Sequence, residues 1–113
     1  MFGLLVRFDL RPEAAAGFDR LTAEAVPSID ALEAGTLVYA CHAVEGQPHV
    51  RVFYELYRDR EAFEEHERQG HVRRFLAERE KYLAAPPRVE LLELRAGKGV
   101  SVRSSVPVGR APP

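Results

Sequence analysis

Residues 53–94 read FYELYRDREAFEEHERQGHVRRFLAEREKYLAAPPRVELLEL. Their reading decides the fold, because the pattern changes period twice. Up to Arg58 aromatic and charged residues alternate with the period of two of a strand. Asp59 can then cap a helix, although Ala62 stands where a capping box would place glutamate. Phe63 and His66 follow on one helical face. Gly70 weakens this helix, which resumes with Val72, Phe75, Leu76, Arg79 and Leu83 on its buried side. Ala84-Ala85-Pro86-Pro87 ends it, and RVELLEL (88–94) returns to a strand.

Upstream, residues 3–10 form a first strand. Arg11-Pro12 stops it and can open a helix, since proline suits a first helical turn. Phe18, Leu21, Ala25, Ile29 and Leu32 recur at spacings of three and four, an apolar helical stripe. Pro27 predicts a kink or break near 23–26. Gly35 ends that helix. TLVYACHAV (36–44) is β-prone, EGQP (45–48) reads as a turn, and 49–58 completes a hairpin. The order β-α-β-β-α-β predicts an α+β, ferredoxin-like fold with an antiparallel sheet and helices on one face.

The third strand offers two faces. Val50, Val52, Tyr54 and Leu56 suit the core under the helices. Arg51, Phe53, Glu55 and Tyr57 suit a pocket or a second sheet packed across the first. The second set predicts a homodimer. At 113 residues the chain is one small domain, which pairing would help to stabilise. We divide it into a core over 1–96 and a C-terminal tail over 97–113, loosely ordered or laid on a partner subunit. The tail carries Lys98, Arg103 and Arg110 without an acid.

A formal net charge of -1 does not select nucleic acid as a partner. The single cysteine, Cys41, excludes an internal disulfide and reads as a small buried hydrophobe. MFGLLVRFDL (1–10) has too short an apolar run for a signal peptide or membrane span, so we expect a cytoplasmic protein without membrane contact. Gly3, Gly17 and Gly35 are isolated and make no phosphate-binding loop.

The segments VRFDLRPEAAAGFDRL, GTLVYACH, VFYELYRDREAFEEHERQGHVRRF and PPRVELLEL together resemble the antibiotic biosynthesis monooxygenase family, the quinol-monooxygenase-like proteins of the dimeric α/β barrel class. The likeness spans Leu4 to Leu94. Tyr54-Glu55 with Tyr57 fits the family's aromatic-Glu-x-aromatic segment, and Phe63, His66, His71 and Phe75 fit its helix. Where members often carry tryptophan this chain has Tyr57, and it has Ala34-Gly35 in place of Pro-Gly. The resemblance implies two sheets closing a barrel between subunits, with a pocket in each. The implied activity is oxidation of a phenolic or hydroquinone-type, polyketide-like aromatic by O2 to a quinone, without cofactor or metal. A non-catalytic protein binding a small aromatic ligand, and a haem-binding or haem-degrading relative, are the alternatives.

For the chemistry, His66, His42 and Tyr57 are the catalytic candidates. An imidazole has the ordinary pKa needed to take a phenolic proton near neutrality. His66, which shares a face with Phe63, is favoured over His42 on the second strand, read as facing with Thr36, Val38 and Ala40. His66 and His71, five residues apart, diverge by roughly 140° on a continuous helix. They therefore do not make a metal pair unless the helix breaks at Gly70. Substrate contacts are expected from Phe53, Glu55, Phe63, His71, Phe75 and Arg79. Phe53 and Tyr57 serve equally as interface packing. Glu55 can pair with Arg51 or Arg7, and Arg79 can snorkel or hold an anionic substrate group.

Overall fold

The computed structural model describes residues 1–100. The chain forms strand β1 (Phe2–Asp9), helix α1 (Ala15–Leu32), strands β2 (Thr36–Val44) and β3 (Gln47–Tyr57), helices α2 (Arg60–Arg68) and α3 (Gly70–Glu78), a 3-10 turn (Arg79–Tyr82) and strand β4 (Arg88–Glu93). The antiparallel sheet has the order β2-β3-β1-β4. This is the ferredoxin-like α+β arrangement, with helices on one face of the sheet. Residues 101–113, most of the expected tail, lie outside the described residues.

The local signals act largely as read. Asp59 caps α2, its Oδ1 accepting from the Ala62 N–H at 2.8 Å. The β2–β3 turn is tighter than expected: Glu45-Gly46 alone connects the strands, with Gly46 at φ +79. The first helix starts at Ala15 rather than at Pro12, and Pro27 does not break it. Pro27 lies on the exposed side, while Phe18, Thr22 and Ile29 bury the other side. The buried Thr22 hydroxyl is satisfied by donating to the Phe18 carbonyl at 3.0 Å. Leu32, assigned to the apolar stripe, is exposed.

The two faces of β3 are the reverse of the expectation. Tyr57, Glu55 and Phe53 pair across β1 with Phe2, Leu4 and Val6, and this set turns toward the helices. Phe53 stands 5.1 Å from Phe8 and 6.1 Å from Phe18 and Phe75, ring centre to ring centre. Val52, Tyr54 and Leu56 take the opposite face. Alternation separates the two sets but does not say which is inward when both carry apolar residues. The aromatic rings decide it, because they fill the space between sheet and helices.

A bulge in β2 has a second consequence. Thr36 pairs with Tyr57, and Val38 with the next residue, Leu56, so Leu37 is inserted between them. Thr36 therefore turns to the helix side. Val38, Ala40 and His42 turn to the other, which corrects the shared face assigned to Thr36 and His42.

Candidate active site

The break between α2 and α3 builds the site. It falls at Gln69, whose ψ of 139 is extended, and α3 restarts at Gly70. A continuous helix would splay His66 and His71 apart. The break brings both imidazoles onto one carboxylate. Glu33, just past the end of α1, places Oε1 2.5 Å from His66 Nδ1 and Oε2 2.5 Å from His71 Nε2. Thr36 Oγ1 donates to the same Oε1 at 2.7 Å. A carboxylate only accepts, so this arrangement puts the His66 proton on Nδ1 and a His71 proton on Nε2. The Glu33 side chain is 3% exposed and that of His66 5%, whereas that of His71 keeps 12%.

The corner carrying Glu33 is held closely. The Thr36 N–H donates to the Glu33 carbonyl at 3.0 Å, and the Arg58 N–H to the Gly35 carbonyl at 2.9 Å. A Cβ on Gly35 would stand 2.7 Å from the Ala62 Cβ of α2. Only glycine allows this approach, which brings the end of α1 up to the helix bearing His66.

His66 also lines a cavity of about 140 Å³ between sheet and helices. Leu4 and Val6 form its floor with Tyr39 and Glu55, Phe63 and Leu76 its apolar walls, and Val89 its edge. Val89 and Leu91 on β4 are 52% and 60% exposed, so this side is the least covered. With Nδ1 bound to Glu33, the remaining ring nitrogen, Nε2, is the one free to meet a ligand. The Tyr39 and Tyr57 rings stand 5.4 and 5.2 Å from the imidazole and hold its plane.

Glu55, Glu67 and Arg79 also face the cavity. Burial pushes the Glu55 carboxyl above the usual carboxylate range, against the opposing effect of the Tyr57 hydrogen bond and of His66 and Arg79. Tyr57 donates its hydroxyl to Glu55 Oε1 at 2.5 Å. Glu55 is thus not paired with Arg51, which binds Asp19 at 2.8 Å, nor with Arg7, which donates to Gln47 at 3.0 Å. Arg79 places its guanidinium 5.1 Å over the Phe8 ring, and its buried Nε has no partner among the described residues. Burial lowers the Arg79 pKa, and burial raises those of Tyr39 and Tyr57, so both phenols remain protonated.

The cavity therefore gathers four of the expected residues, His66, Glu55, Phe63 and Arg79. Tyr57 lies fully buried behind Glu55 and acts on that carboxyl. Phe53 and Phe75 belong to the dry core. His71 sits behind Glu33, away from the cavity wall. His42, exposed and opposite Val52, is on the far face of the sheet and cannot reach the cavity. Cys41 is half-buried, and burial pushes its thiol up to about 11. No group of three or more His, Cys, Asp or Glu among the described residues is arranged to hold a metal ion. No described helix is long and apolar enough to cross a membrane.

Sequence reasoning missed Glu33, Thr36 and Tyr39. Glu33 had a signal: it stands four residues after Ile29, where the apolar stripe of α1 would next turn inward. A carboxylate in that slot must be satisfied inside the fold.

A family model described as antibiotic biosynthesis monooxygenase matches residues 1–78. An antibiotic biosynthesis monooxygenase-type structure from Caulobacter crescentus CB15 superposes with a TM-score of 0.80 at 23% identity, covering 84% of this chain and 90% of that one. Rv0793 from Mycobacterium tuberculosis does so at 0.78 and 24% identity, over 85% and 96% of the two chains. PA3566 from Pseudomonas aeruginosa gives 0.73 at 28% identity, over 84% and 94%. No curated protein sequence matches the chain. With the family model covering more than half of its length, the chain belongs to the antibiotic biosynthesis monooxygenase family.

Proposed function

We propose that the protein is a cofactor-independent monooxygenase that oxidises a phenolic or hydroquinone-type ring with O2 to a quinone. The observation that carries this reading is the cavity against His66, whose Nδ1 is held by Glu33 and whose Nε2 is left free. At about 140 Å³ the cavity matches the space that accepts a single benzene ring. That size favours a one-ring substrate, or the terminal ring of a polycyclic one, over haem.

His66 Nε2 takes the phenolic proton and leaves an electron-rich phenolate. Arg79 offers the positive charge beside it, and Glu55, held by the Tyr57 hydroxyl, borders the ring. For a simple phenol, ring C–H and O–H bonds are lost, one atom of O2 enters the ring and the other leaves as water. The apolar walls keep bulk water from the phenolate.

A homodimer formed through the open sheet face accompanies this reading. Leu5 and Val52 lie there in a hollow of about 450 Å³, rimmed by Arg7, Arg88 and Glu90. A second copy would bury this face, in place of the Phe53 and Tyr57 face first considered. Sedimentation at micromolar concentration should return twice the monomer mass.

The test of the reaction is oxygen uptake with a panel of one-ring phenols and hydroquinones. On a substrate the wild type oxidises, His66→Ala should lower turnover by at least about tenfold while unfolding stays cooperative. His42→Ala should leave turnover unchanged. Wild-type turnover in His66→Ala would falsify the assignment of the base.

A further inference from the structure

Glu33 holds two imidazoles, and only one of them is needed to hold a ligand proton. The second requires an account. His71 does not line the cavity, yet it shares Glu33 with His66 through the other carboxylate oxygen. It is also the more solvent-accessible of the two. We infer that His71 is the solvent-side half of a proton-linked pair, releasing a proton to water when His66 takes one from a ligand in the cavity. This deepens the reading of His66 as the cavity base and rests on it.

The physical reason is charge balance. One negative carboxylate buried between two imidazoles is neutralised by a single imidazolium. A second one would leave an uncompensated positive charge in a site nearly closed to water. In the resting arrangement His71 carries the charge, with Nε2–H on Glu33 and Nδ1–H toward solvent. His66 is neutral, with Nδ1–H on Glu33 and a lone pair on Nε2. When a ligand O–H gives its proton to His66 Nε2, His66 becomes the imidazolium paired with Glu33. His71 then loses its Nδ1 proton to water and keeps its Nε2–H bond. The ligand becomes an anion, one proton reaches water, and the Glu33–His66–His71 group remains neutral before and after.

Other charges border the pair and act on both members. Glu55 of β3, Tyr39 of β2, Glu67 of α2 and Arg79 border the cavity beside His66, with Tyr57 packed on the His66 ring behind Glu55. Arg58, Glu61 and Glu65 line a hollow of about 300 Å³ on the outer side of Glu33 and His66. Neither group joins the two imidazoles as Glu33 does, so the hydrogen-bonded link between them runs through Glu33.

The test is a histidine NMR titration of the full chain, with nitrogen shifts reporting tautomer and charge. His71→Gln frees Glu33 for His66 alone and should raise the His66 pKa by about one unit, a tenfold gain in proton affinity. His66→Gln should raise that of His71 by the same amount, since linkage is reciprocal. His71→Asn serves as a second substitution should the first not fold. In oxygen uptake, the pH midpoint of kcat in His71→Gln should move upward with the His66 pKa. A His66 pKa unchanged to within about 0.3 unit on loss of His71 overturns the linkage. Coupled histidines in a protein that oxidises no phenol or hydroquinone would overturn the reaction and keep the linkage. Oxygen uptake with uncoupled histidines would do the reverse.

Discussion

Phe53 and Glu55 sit two residues apart on one face of β3, under the same helical layer, in opposite surroundings. Around Phe53 the neighbours are the rings of Phe8, Phe18, Phe75 and Tyr39. Around Glu55 they are the Tyr57 hydroxyl, His66, Arg79 and an open cavity. The first region is stabilised by the apolar area it removes from water. In the second, each buried polar group must be matched by another, and the net gain is small. The difference teaches where the molecule keeps stability and where it keeps reactive groups.

The largest expected effect lies in the dry region. Phe53→Ala deletes a ring that four aromatic neighbours enclose and should cost about 3–5 kcal/mol. In a small domain that approaches the whole stability. Urea unfolding measures it, and a loss below about 1 kcal/mol would mean that the aromatic cluster is not the stabilising half.

Glu33→Ala comes next. It strips the shared acceptor from two imidazoles and the Thr36 hydroxyl, and should cost about 2–3 kcal/mol. The same variant should abolish the preference of His66 for the Nδ1–H tautomer. If the tautomer survives, the carboxylate is not what orients the ring, and the two regions differ less than the geometry implies.

Gly35→Ala probes how the polar region is held. The added methyl would meet the Ala62 Cβ at 2.7 Å, so α2 must move away from the end of α1. We expect a cost of about 1–2 kcal/mol, together with weaker oxygen uptake, because the shift separates His66 from Glu33. Normal activity and stability in this variant would show that the approach is slack.

The smallest effect has the opposite sign. Burial raises the Glu55 pKa above that of the unfolded chain, so the folded protein binds this proton more tightly. That contribution is fully present below the unfolded carboxyl pKa and is lost as pH rises through the raised folded value. Glu55→Gln cannot titrate, and its amide oxygen still accepts from Tyr57. It should therefore gain on the wild type as pH rises from about 4 to neutrality, by about 1 kcal/mol. A stability difference that does not change with pH would remove Glu55 from the list of strained groups.

Much of the fold was legible in the chain. The periodicities placed six elements in order, Asp59 announced its helix, and the β-α-β-β-α-β sequence selected the sheet topology. These are local properties, set by side-chain period, capping and turn chemistry within a few residues. The faces of β3 were not legible, because both carry apolar residues and only packing against α1 and α3 turns the aromatic set inward. The Leu37 bulge likewise moved Thr36 to the site side without a sequence mark.

The chain by itself therefore determined the elements, their order, the family likeness and His66 as the favoured histidine. Tertiary structure alone decided the rest. The break at Gln69 rotates His71 back toward His66, and the end of α1 delivers Glu33 to both. No spacing rule reaches from residue 33 to residues 66 and 71. That meeting depends on how two helices pack, and on a Gly35 corner with no side chain to keep them apart.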